Sequence, residues 1–291
     1  MPEASLLDFS VFNPRRLDEA LSLLAEEENV VPLAGGTDLM VTLETGNLSP
    51  CRFLNLMGIA EFQEPFSWCD GKLRMSPLCS YRDTRIDKDV ATRYPLLVRA
   101  AREVGVLAIQ SRGTWAGNIV NASPAADGVP VLMVYDAEVE LRSTSGTRTV
   151  PLCDFYRGYK EMDRASDELV TGIILPPPPE DRIEYFRKVA PRRLQAITKV
   201  LLTGYLLRSD DRIEDCRIVL GSVAPFTLRA RETESILRGS VLDSETIKAA
   251  RAALQGEISP IDDIRSTAMY RRNVAERLLD EFLLSASPES H

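Results

Sequence analysis

The residues with the clearest capacity for chemistry form one glycine turn, Leu33-Ala34-Gly35-Gly36-Thr37-Asp38-Leu39. Glycine accepts positive φ and has no side chain, so successive backbone N–H groups there can converge closely on an anion. The Thr37 hydroxyl is a further donor, and a helix that begins near Asp38 would add its dipole. A Gly-Gly pair between a strand and a helix is also a common plain turn, so the segment alone leaves both interpretations open.

A second turn of small residues, Thr114-Trp115-Ala116-Gly117-Asn118, leads into Ser123 and Asp127. Two such turns in one domain could hold the two sides of a pyrophosphate through backbone N–H groups. Asp127 could then accept hydrogen bonds from ribose or ribityl hydroxyls. The alternative is that Ser123-Pro124 starts a helix whose dipole Asp127 complements, and both interpretations can hold together.

The rest of the chain offers few groups for catalysis by the protein itself. Its one histidine is His291, which removes histidine triads, histidine metal sites and most acid–base chemistry by histidine. The five cysteines form no Cys-x-x-Cys pair, so neither zinc nor a cysteine-ligated iron–sulfur cluster is indicated. The glycine motifs of Rossmann and P-loop nucleotide sites are also absent. We therefore predict no catalytic side chain and no metal site, and expect a cofactor to carry any reaction.

Composition argues against two further classes of protein. The net charge of −8 and the lack of a lysine- or arginine-rich run argue against a nucleic-acid-binding surface. No apolar run approaches the roughly 20 residues of a membrane span, and the segment after Met1 lacks the basic-then-apolar layout of a secretory signal. We therefore expect a cytoplasmic protein without a membrane span.

Periodic segments place both turns in an α+β fold. Asn13-Pro14 predicts the start of a first helix, and an apolar strand at 30–33 precedes the first turn. A short helix through Leu43 follows that turn, and a helix at 94–104 precedes the second one. Strands are predicted at 52–56, 72–76 and 168–175, with a hairpin around Ser145-Gly146.

Four prolines at 176–179 stop regular structure, and we place a domain boundary there. The 291 residues suit two domains, which we assign to 1–178 and 179–291. The second domain is predicted to contain three strands, 183–190, 199–208 and 213–223, covered by helices at 227–237, 244–254 and 267–284.

The two turns, together with Ser123-Pro124-Ala125-Ala126-Asp127, resemble the FAD-binding (medium) subunit of the molybdenum hydroxylases, the xanthine dehydrogenase and carbon monoxide dehydrogenase family. The resemblance implies a two-subdomain FAD-binding domain of the vanillyl-alcohol-oxidase type and a smaller C-terminal α+β domain. Further segments match the family in the same order: 155–159, 167–170, 185–188, 224–225 with 229–230, and 268–272.

The resemblance also implies roles for single residues. The two turns would wrap the FAD pyrophosphate, Asp127 would take cofactor hydroxyls, and Val104 and Val170 would line the flavin pocket. Lys188 would reach the flavin from the second domain, where a cation could stabilise negative charge on the reduced ring. Without the resemblance, Lys188 would be a surface lysine on a strand edge. The implied cofactor-binding residues are Leu33, Ala34, Gly35, Gly36, Thr37, Asp38, Leu39, Val104, Thr114, Trp115, Ala116, Gly117, Asn118, Ser123, Asp127, Val170 and Lys188.

Two departures from the family pattern bear on function. The second turn usually reads Thr-Ile-Gly-Gly-Asn, whereas Trp115-Ala116 occupies its middle here, and Trp115 could pack near the isoalloxazine. After Arg192-Arg193, where relatives that reduce NAD carry acids, this chain has Leu194-Gln195-Ala196, which leaves the final electron acceptor open.

The function implied by the resemblance is electron transfer within a larger enzyme. A large molybdopterin subunit would hydroxylate the substrate, and a small [2Fe–2S] subunit would pass electrons to FAD on this chain, in a dimer of heterotrimers. The electrons would leave to NAD, a quinone or oxygen. The alternatives are a stand-alone FAD-dependent oxidase of the vanillyl-alcohol-oxidase type and a degenerate, non-catalytic FAD-fold scaffold.

Overall fold

A computed structural model of the chain describes residues 9–192 and 196–286. These residues form three larger sheets and one two-stranded sheet, with helices between them. The strands are β1 (Ser10–Phe12), β2 (Val30–Leu33), β3 (Arg52–Asn55), β4 (Phe66–Cys69), β5 (Lys72–Met75), β6 (Glu138–Ser143), β7 (Gly146–Pro151), β8 (Tyr156–Gly158), β9 (Glu161–Met162), β10 (Leu169–Leu175), β11 (Ile183–Val189), β12 (Val200–Ser209), β13 (Arg212–Gly221) and β14 (Leu228–Arg229). The helices are α1 (Leu17–Glu26), α2 (Thr37–Glu44), α3 (Tyr81–Ile86), α4 (Lys88–Arg93), α5 (Pro95–Glu103), α6 (Leu107–Arg112), α7 (Trp115–Asn121), α8 (Val129–Val134), α9 (Leu152–Phe155), α10 (Arg231–Leu237), α11 (Ser244–Glu257) and α12 (Ala268–Ser285).

The first sheet is small and parallel, with strand order β1–β3–β2. Helix α1 connects β1 to β2 and buries Leu17, Leu21 and Leu24, which recur at helical spacing. These side chains pack on Leu54 of β3 in a separate small core. As a result, β2 is fixed at the edge of this sheet, and its carboxyl end determines where the first glycine turn lies.

The second sheet is antiparallel, with strand order β4–β5–β10–β6–β7. Leu73 and Ile173 of its inner strands are fully buried, and they share a large core with helices α5, α7 and α8. This core lies beneath the second turn and supports it.

The third sheet, β11–β12–β13–β14, is antiparallel and buried on both faces. We call residues 9–178 the N-terminal region and residues 179–286 the C-terminal region. Leu201 and Val219 point into the core of the N-terminal region, whereas Leu202 and Ile218 pack with the core under α10, α11 and α12. Burial on both faces explains why the first half of β12 is almost continuously apolar. The C-terminal region is therefore packed directly against the N-terminal one.

The predicted α+β fold is confirmed, with three local corrections. The first helix begins at Leu17 with Arg16 as its N-cap, not at Asn13-Pro14. The C-terminal sheet has a short fourth strand, β14, where the sequence pattern predicted the start of a helix; α10 begins only at Arg231. The second turn is largely helical, because the Thr114 side chain caps α7.

Candidate functional site

The two turns meet at a cavity of about 550 Å³. It lies between the first turns of α2 and α7 and extends towards Val104 and Val170. The predicted site residues that line it are Ala34, Gly35, Gly36, Thr37, Asp38, Leu39, Val104, Thr114, Ala116, Gly117, Asn118, Ser123, Asp127 and Val170.

The first turn presents unused donors to this cavity. Gly36 has φ of 73°, a left-handed conformation that favours glycine, and it is the N-cap of α2. In the described residues, no acceptor takes the backbone N–H groups of Thr37, Asp38 and Leu39, and Gly36 has no side chain that could cap them. Uncapped N–H groups at a helix N-terminus form a binding site for an anion.

The first turn packs against Arg112 and Gly113, which directly precede the second turn, and leaves no space for a Cβ on Gly35. A Cβ on Gly35 would lie 1.9 Å from the backbone oxygen of Arg112, which is closer than any contact allows. Gly113 is similarly confined, since its Cβ would lie 3.0 Å from the Ile109 oxygen and 3.4 Å from the Thr37 hydroxyl. The missing side chains therefore set the distance between the two loops, and with it the width of the cavity.

The second turn is stabilised by a helix cap and by contacts with the buried core. The Thr114 hydroxyl accepts a hydrogen bond from the Gly117 N–H at 3.0 Å, which caps α7. Trp115 is fully buried, its Nε1 donates to the Thr84 hydroxyl at 2.8 Å, and its ring centroid lies 4.9 Å from that of Tyr81. The indole therefore supports the turn and does not line the cavity, in contrast to the expectation that it would pack near an isoalloxazine.

Polar side chains of α2 and α7 complete this end of the cavity. The Asn121 amide donates to the Asp38 carboxylate at 3.1 Å and links the two helices. The Asn118 Oδ1 is buried and has no hydrogen-bond partner among the described residues. A buried acceptor without a partner is costly, so a donor from a bound molecule would stabilise it.

Asp127 also lines the cavity and is held by the C-terminal region. Lys188 Nζ donates to its Oδ2 at 2.7 Å and to the Glu103 carbonyl at 3.1 Å, while the Thr198 hydroxyl donates to its Oδ1 at 2.5 Å. Burial raises the pKa of Asp127 above its ordinary value, although the charge of Lys188 and both hydrogen bonds oppose that rise. Lys188 and Thr198 thus favour the charged form of this carboxylate, against the effect of burial.

Three predicted site residues lie outside the cavity lining. Leu33 contacts a separate apolar hollow on the other side of the first turn. Trp115 lies beneath the second turn, and Lys188 lies behind Asp127 with only 7% of its side chain exposed. The interpretation of Lys188 as a surface lysine is wrong.

Several lining residues were missed from the sequence. Asn121 could have been found, because it follows Asn118 by three positions on one helix and so shares its face. Tyr81, Ile109 and Arg164 are among those that belong to segments with no chemical motif, so only the fold brings them to the cavity. Glu168 lies in the family-matching segment 167–170, but it was not predicted as a site residue.

In the described residues, no group of three or more histidine, cysteine, aspartate or glutamate side chains could hold a metal ion. No helix there is long and apolar enough to cross a membrane. Arg193, Leu194 and Gln195, which bear on the electron acceptor, lie outside the described residues, as does His291.

Family models match both regions of the chain. Residues 7–178 match the FAD binding domain in molybdopterin dehydrogenase, and residues 185–286 match the CO dehydrogenase flavoprotein C-terminal domain.

Curated relatives match along almost the whole chain. The glyceraldehyde dehydrogenase medium chain of Sulfolobus acidocaldarius is 31% identical over 271 residues, covering 93% of this chain and 95% of the relative. The xanthine dehydrogenase FAD-binding subunit of Escherichia coli O157:H7 is 24% identical over 284 residues, 97% of each chain. The carbon monoxide dehydrogenase of Hydrogenophaga pseudoflava has the same fold, with a TM-score of 0.91 at 24% identity and 96% coverage of both chains. The chain thus belongs to the FAD-binding medium subunits of the molybdenum hydroxylases.

Proposed function

We propose that this chain is the FAD-carrying electron-transfer subunit of a heteromeric molybdenum hydroxylase, and thus part of an oxidoreductase. It accepts electrons from a [2Fe–2S] subunit and passes them to NAD, a quinone or oxygen. Molybdopterin and the iron–sulfur clusters lie on partner subunits. Relatives that match along the whole chain are named as medium chains or FAD-binding subunits, which favours this function over a stand-alone oxidase.

The observation that carries this proposal is the uncapped start of α2 at the cavity. Its three free N–H groups face a space bounded by a second helix start, and Gly35 brings the two loops together. Such an arrangement suits a pyrophosphate, whose oxygens can accept from the start of α2. At the start of α7, Trp115 and Gly117 already donate their N–H groups to Cys79 and Thr114, so among the described residues Ala116 is left as the donor on that side. The cavity of about 550 Å³ is within the usual size range of small-molecule and cofactor sites.

We assign the FAD contacts to the lining residues predicted from the sequence. The two turns bind the pyrophosphate, Asp127 accepts hydrogen bonds from cofactor hydroxyls, and Val104 and Val170 contact the flavin. Leu33, Trp115 and Lys188 act through their neighbours: Leu33 packs behind the first turn, Trp115 supports the second, and Lys188 holds Asp127.

When bound, FAD supplies the redox chemistry, and the chain binds it, orients it and limits its access to solvent. Asn118 fits this role, because it lines the cavity and its buried Oδ1 has no hydrogen-bond partner among the described residues. The Asp127–Lys188 pair contributes an acceptor whose negative charge is balanced.

We also propose three features of the assembled enzyme. The first is a dimer of heterotrimers, which the family resemblance supports. A division into domains 1–178 and 179–291 is supported by the separate family matches on either side of the prolines. A cytoplasmic location is supported by five cysteines without a disulfide, as expected in a reducing compartment.

Flavin selectivity tests the pyrophosphate site. We expect the full-length apoprotein to bind FAD with one-to-one stoichiometry and about 100-fold more tightly than FMN, which lacks a pyrophosphate. Quenching of flavin fluorescence measures both affinities. ADP is the matched control, since it carries a pyrophosphate without a flavin and should compete with FAD. Equal affinity for FAD and FMN, without competition by ADP, would contradict the proposed site.

A further inference from the structure

Asp127 is unusual among the residues of the cavity wall, because its carboxylate is held entirely by residues that lie much later in the chain. Lys188 of β11 donates a hydrogen bond to Oδ2, and Thr198, just before β12, donates one to Oδ1. Both partners are deeply buried, with 7% of the Lys188 side chain and 2% of Thr198 exposed. No motif in the sequence singled out Thr198.

Thr198 is itself fixed by a network that joins both regions of the chain. Its carbonyl accepts a hydrogen bond from the Ser222 hydroxyl at 3.1 Å, and the Ser222 N–H donates to the Pro124 carbonyl at 2.8 Å. The Arg271 guanidinium donates to the Ser222 carbonyl at 3.0 Å. The Thr198 backbone is therefore fixed in a position from which its hydroxyl donates to Asp127.

The contacts with Lys188 and Thr198 determine which further hydrogen bonds the Asp127 carboxylate can accept. Each carboxylate oxygen can accept about two hydrogen bonds, so one site on each remains after Lys188 and Thr198 have donated. A carboxylate held at both oxygens cannot rotate about its terminal bond without breaking a charge-assisted hydrogen bond. The remaining acceptor sites are thus fixed in direction before any ligand binds.

We propose that Thr198 is a positioning residue of the cofactor site, which, with Lys188, orients the Asp127 carboxylate towards the hydroxyls of the bound flavin nucleotide. This proposal rests on the proposed FAD function and adds a role for the C-terminal region. That region contributes to the cofactor site by setting the direction of the Asp127 carboxylate, an acceptor in the N-terminal region.

Substitution of Thr198 by an isosteric apolar residue tests this role. We expect Thr198→Val to weaken FAD binding about ten-fold or more, since one charge-assisted hydrogen bond to the acceptor is lost. Thr198→Ser, which keeps the hydroxyl, should stay within about three-fold of the wild-type affinity. Circular dichroism of the bound flavin in the visible range should change in Thr198→Val and be restored in Thr198→Ser.

Thr203→Val is the matched control. Thr203 is also a buried threonine of the C-terminal region, but its hydroxyl donates to the Tyr185 carbonyl at 2.9 Å and does not contact Asp127. We expect this variant to lower the melting temperature of the apoprotein and to leave FAD affinity and the flavin spectrum unchanged.

The outcomes separate this inference from the proposed function. Absence of FAD binding by the wild-type chain would overturn both. Two results would overturn the role of Thr198 alone, provided that the wild-type chain binds FAD. One is an unchanged FAD affinity in Thr198→Val, and the other is an equal loss of FAD affinity in Thr198→Val and Thr203→Val. If Thr198→Val does not fold, Thr198→Ala replaces it, and its effect on FAD affinity should nearly vanish in an Asp127→Asn background. Additive effects in that double-mutant cycle would also overturn the inference.

Discussion

At the scale of single residues, the first turn requires glycine at position 35, because no Cβ fits there. Gly35 lies against the Arg112 carbonyl so closely that any Cβ would clash with backbone, which cannot move aside as a flexible side chain can. Gly35, together with Gly113, therefore sets the distance between the two turns.

We predict that Gly35→Ala lowers stability by about 1–3 kcal/mol through overpacking and weakens FAD binding at least ten-fold, because the turns must separate. Urea denaturation and flavin fluorescence measure the two effects. Gly256→Ala is the control: Gly256 lies within α11 with no atom within 4 Å of a Cβ, and alanine there should stabilise the helix by about 0.5–1 kcal/mol. A Gly35→Ala chain that binds FAD like the wild type would contradict this account of the turns.

A carboxylate outside the cavity gives a pH-dependent prediction. Partial burial raises the pKa of Asp263, but the N–H groups of Arg265 and Ser266 and the Arg271 guanidinium outweigh that effect and hold the pKa at about 2. A carboxylate whose pKa is lowered by folding stabilises the native state above its unfolded pKa, and that contribution is lost as the pH falls.

We therefore expect Asp263→Asn to reduce the free energy of unfolding by about 1–2 kcal/mol above roughly pH 4, and the difference from the wild type to shrink towards pH 2. Thermal melts of both chains across this range measure the difference. A gap that stays constant down to pH 2 would show that the ionised form of Asp263 carries no such stabilisation.

At the scale of elements, the sequence could predict the strand and helix on either side of the first turn, since β2 is apolar and Gly-Gly separates it from the periodic α2. It could not predict the orientation of Trp115. That residue is the first of α7, and whether its side chain faces the cavity or the core depends on where α3 packs. Tyr81 and Thr84 of α3 provide the ring contact and the acceptor that draw the indole inward.

Ion pairs also join elements of the two regions, and the side chains of these pairs differ in how deeply they are buried. Asp136, just after α8, binds Arg217 of β13 at 3.0 Å and Arg229 of β14 at 2.6 Å, and both arginine side chains are at most 16% exposed. Asp154 binds Arg231 at 2.7 Å between the same two regions, but both of these side chains are more than half exposed.

We predict that Asp136→Asn lowers the free energy of unfolding by about 1–2 kcal/mol, because two buried guanidinium groups each lose one charged partner, while Arg217 keeps Asp215 and Arg229 keeps Glu234. Asparagine tolerates the positive φ of 51° at this position, so the substitution tests charge alone. Asp154→Asn is the matched control and should cost less than about 1 kcal/mol. Urea denaturation compares the two variants, and equal costs would show that burial does not set the strength of these pairs.

At the scale of the whole molecule, the C-terminal sheet couples the two regions. The sequence predicted its three long strands and its helical layer, since the alternation of apolar stretches and turns is local. The contact between Thr198 and Asp127 could not be predicted in this way, because residues 71 positions apart meet only when the sheet packs on the N-terminal core. Long-range pairing of this kind depends on the packed fold and leaves no periodic pattern.

The two turns are proposed to hold the FAD pyrophosphate. A crystal structure of the full chain saturated with FAD tests this proposal most directly. We predict that the pyrophosphate lies between the two turns, with its oxygens accepting hydrogen bonds from the N–H groups of Thr37, Asp38 and Leu39. A structure in which FAD is bound elsewhere, or in which these N–H groups remain without an acceptor, would contradict the account.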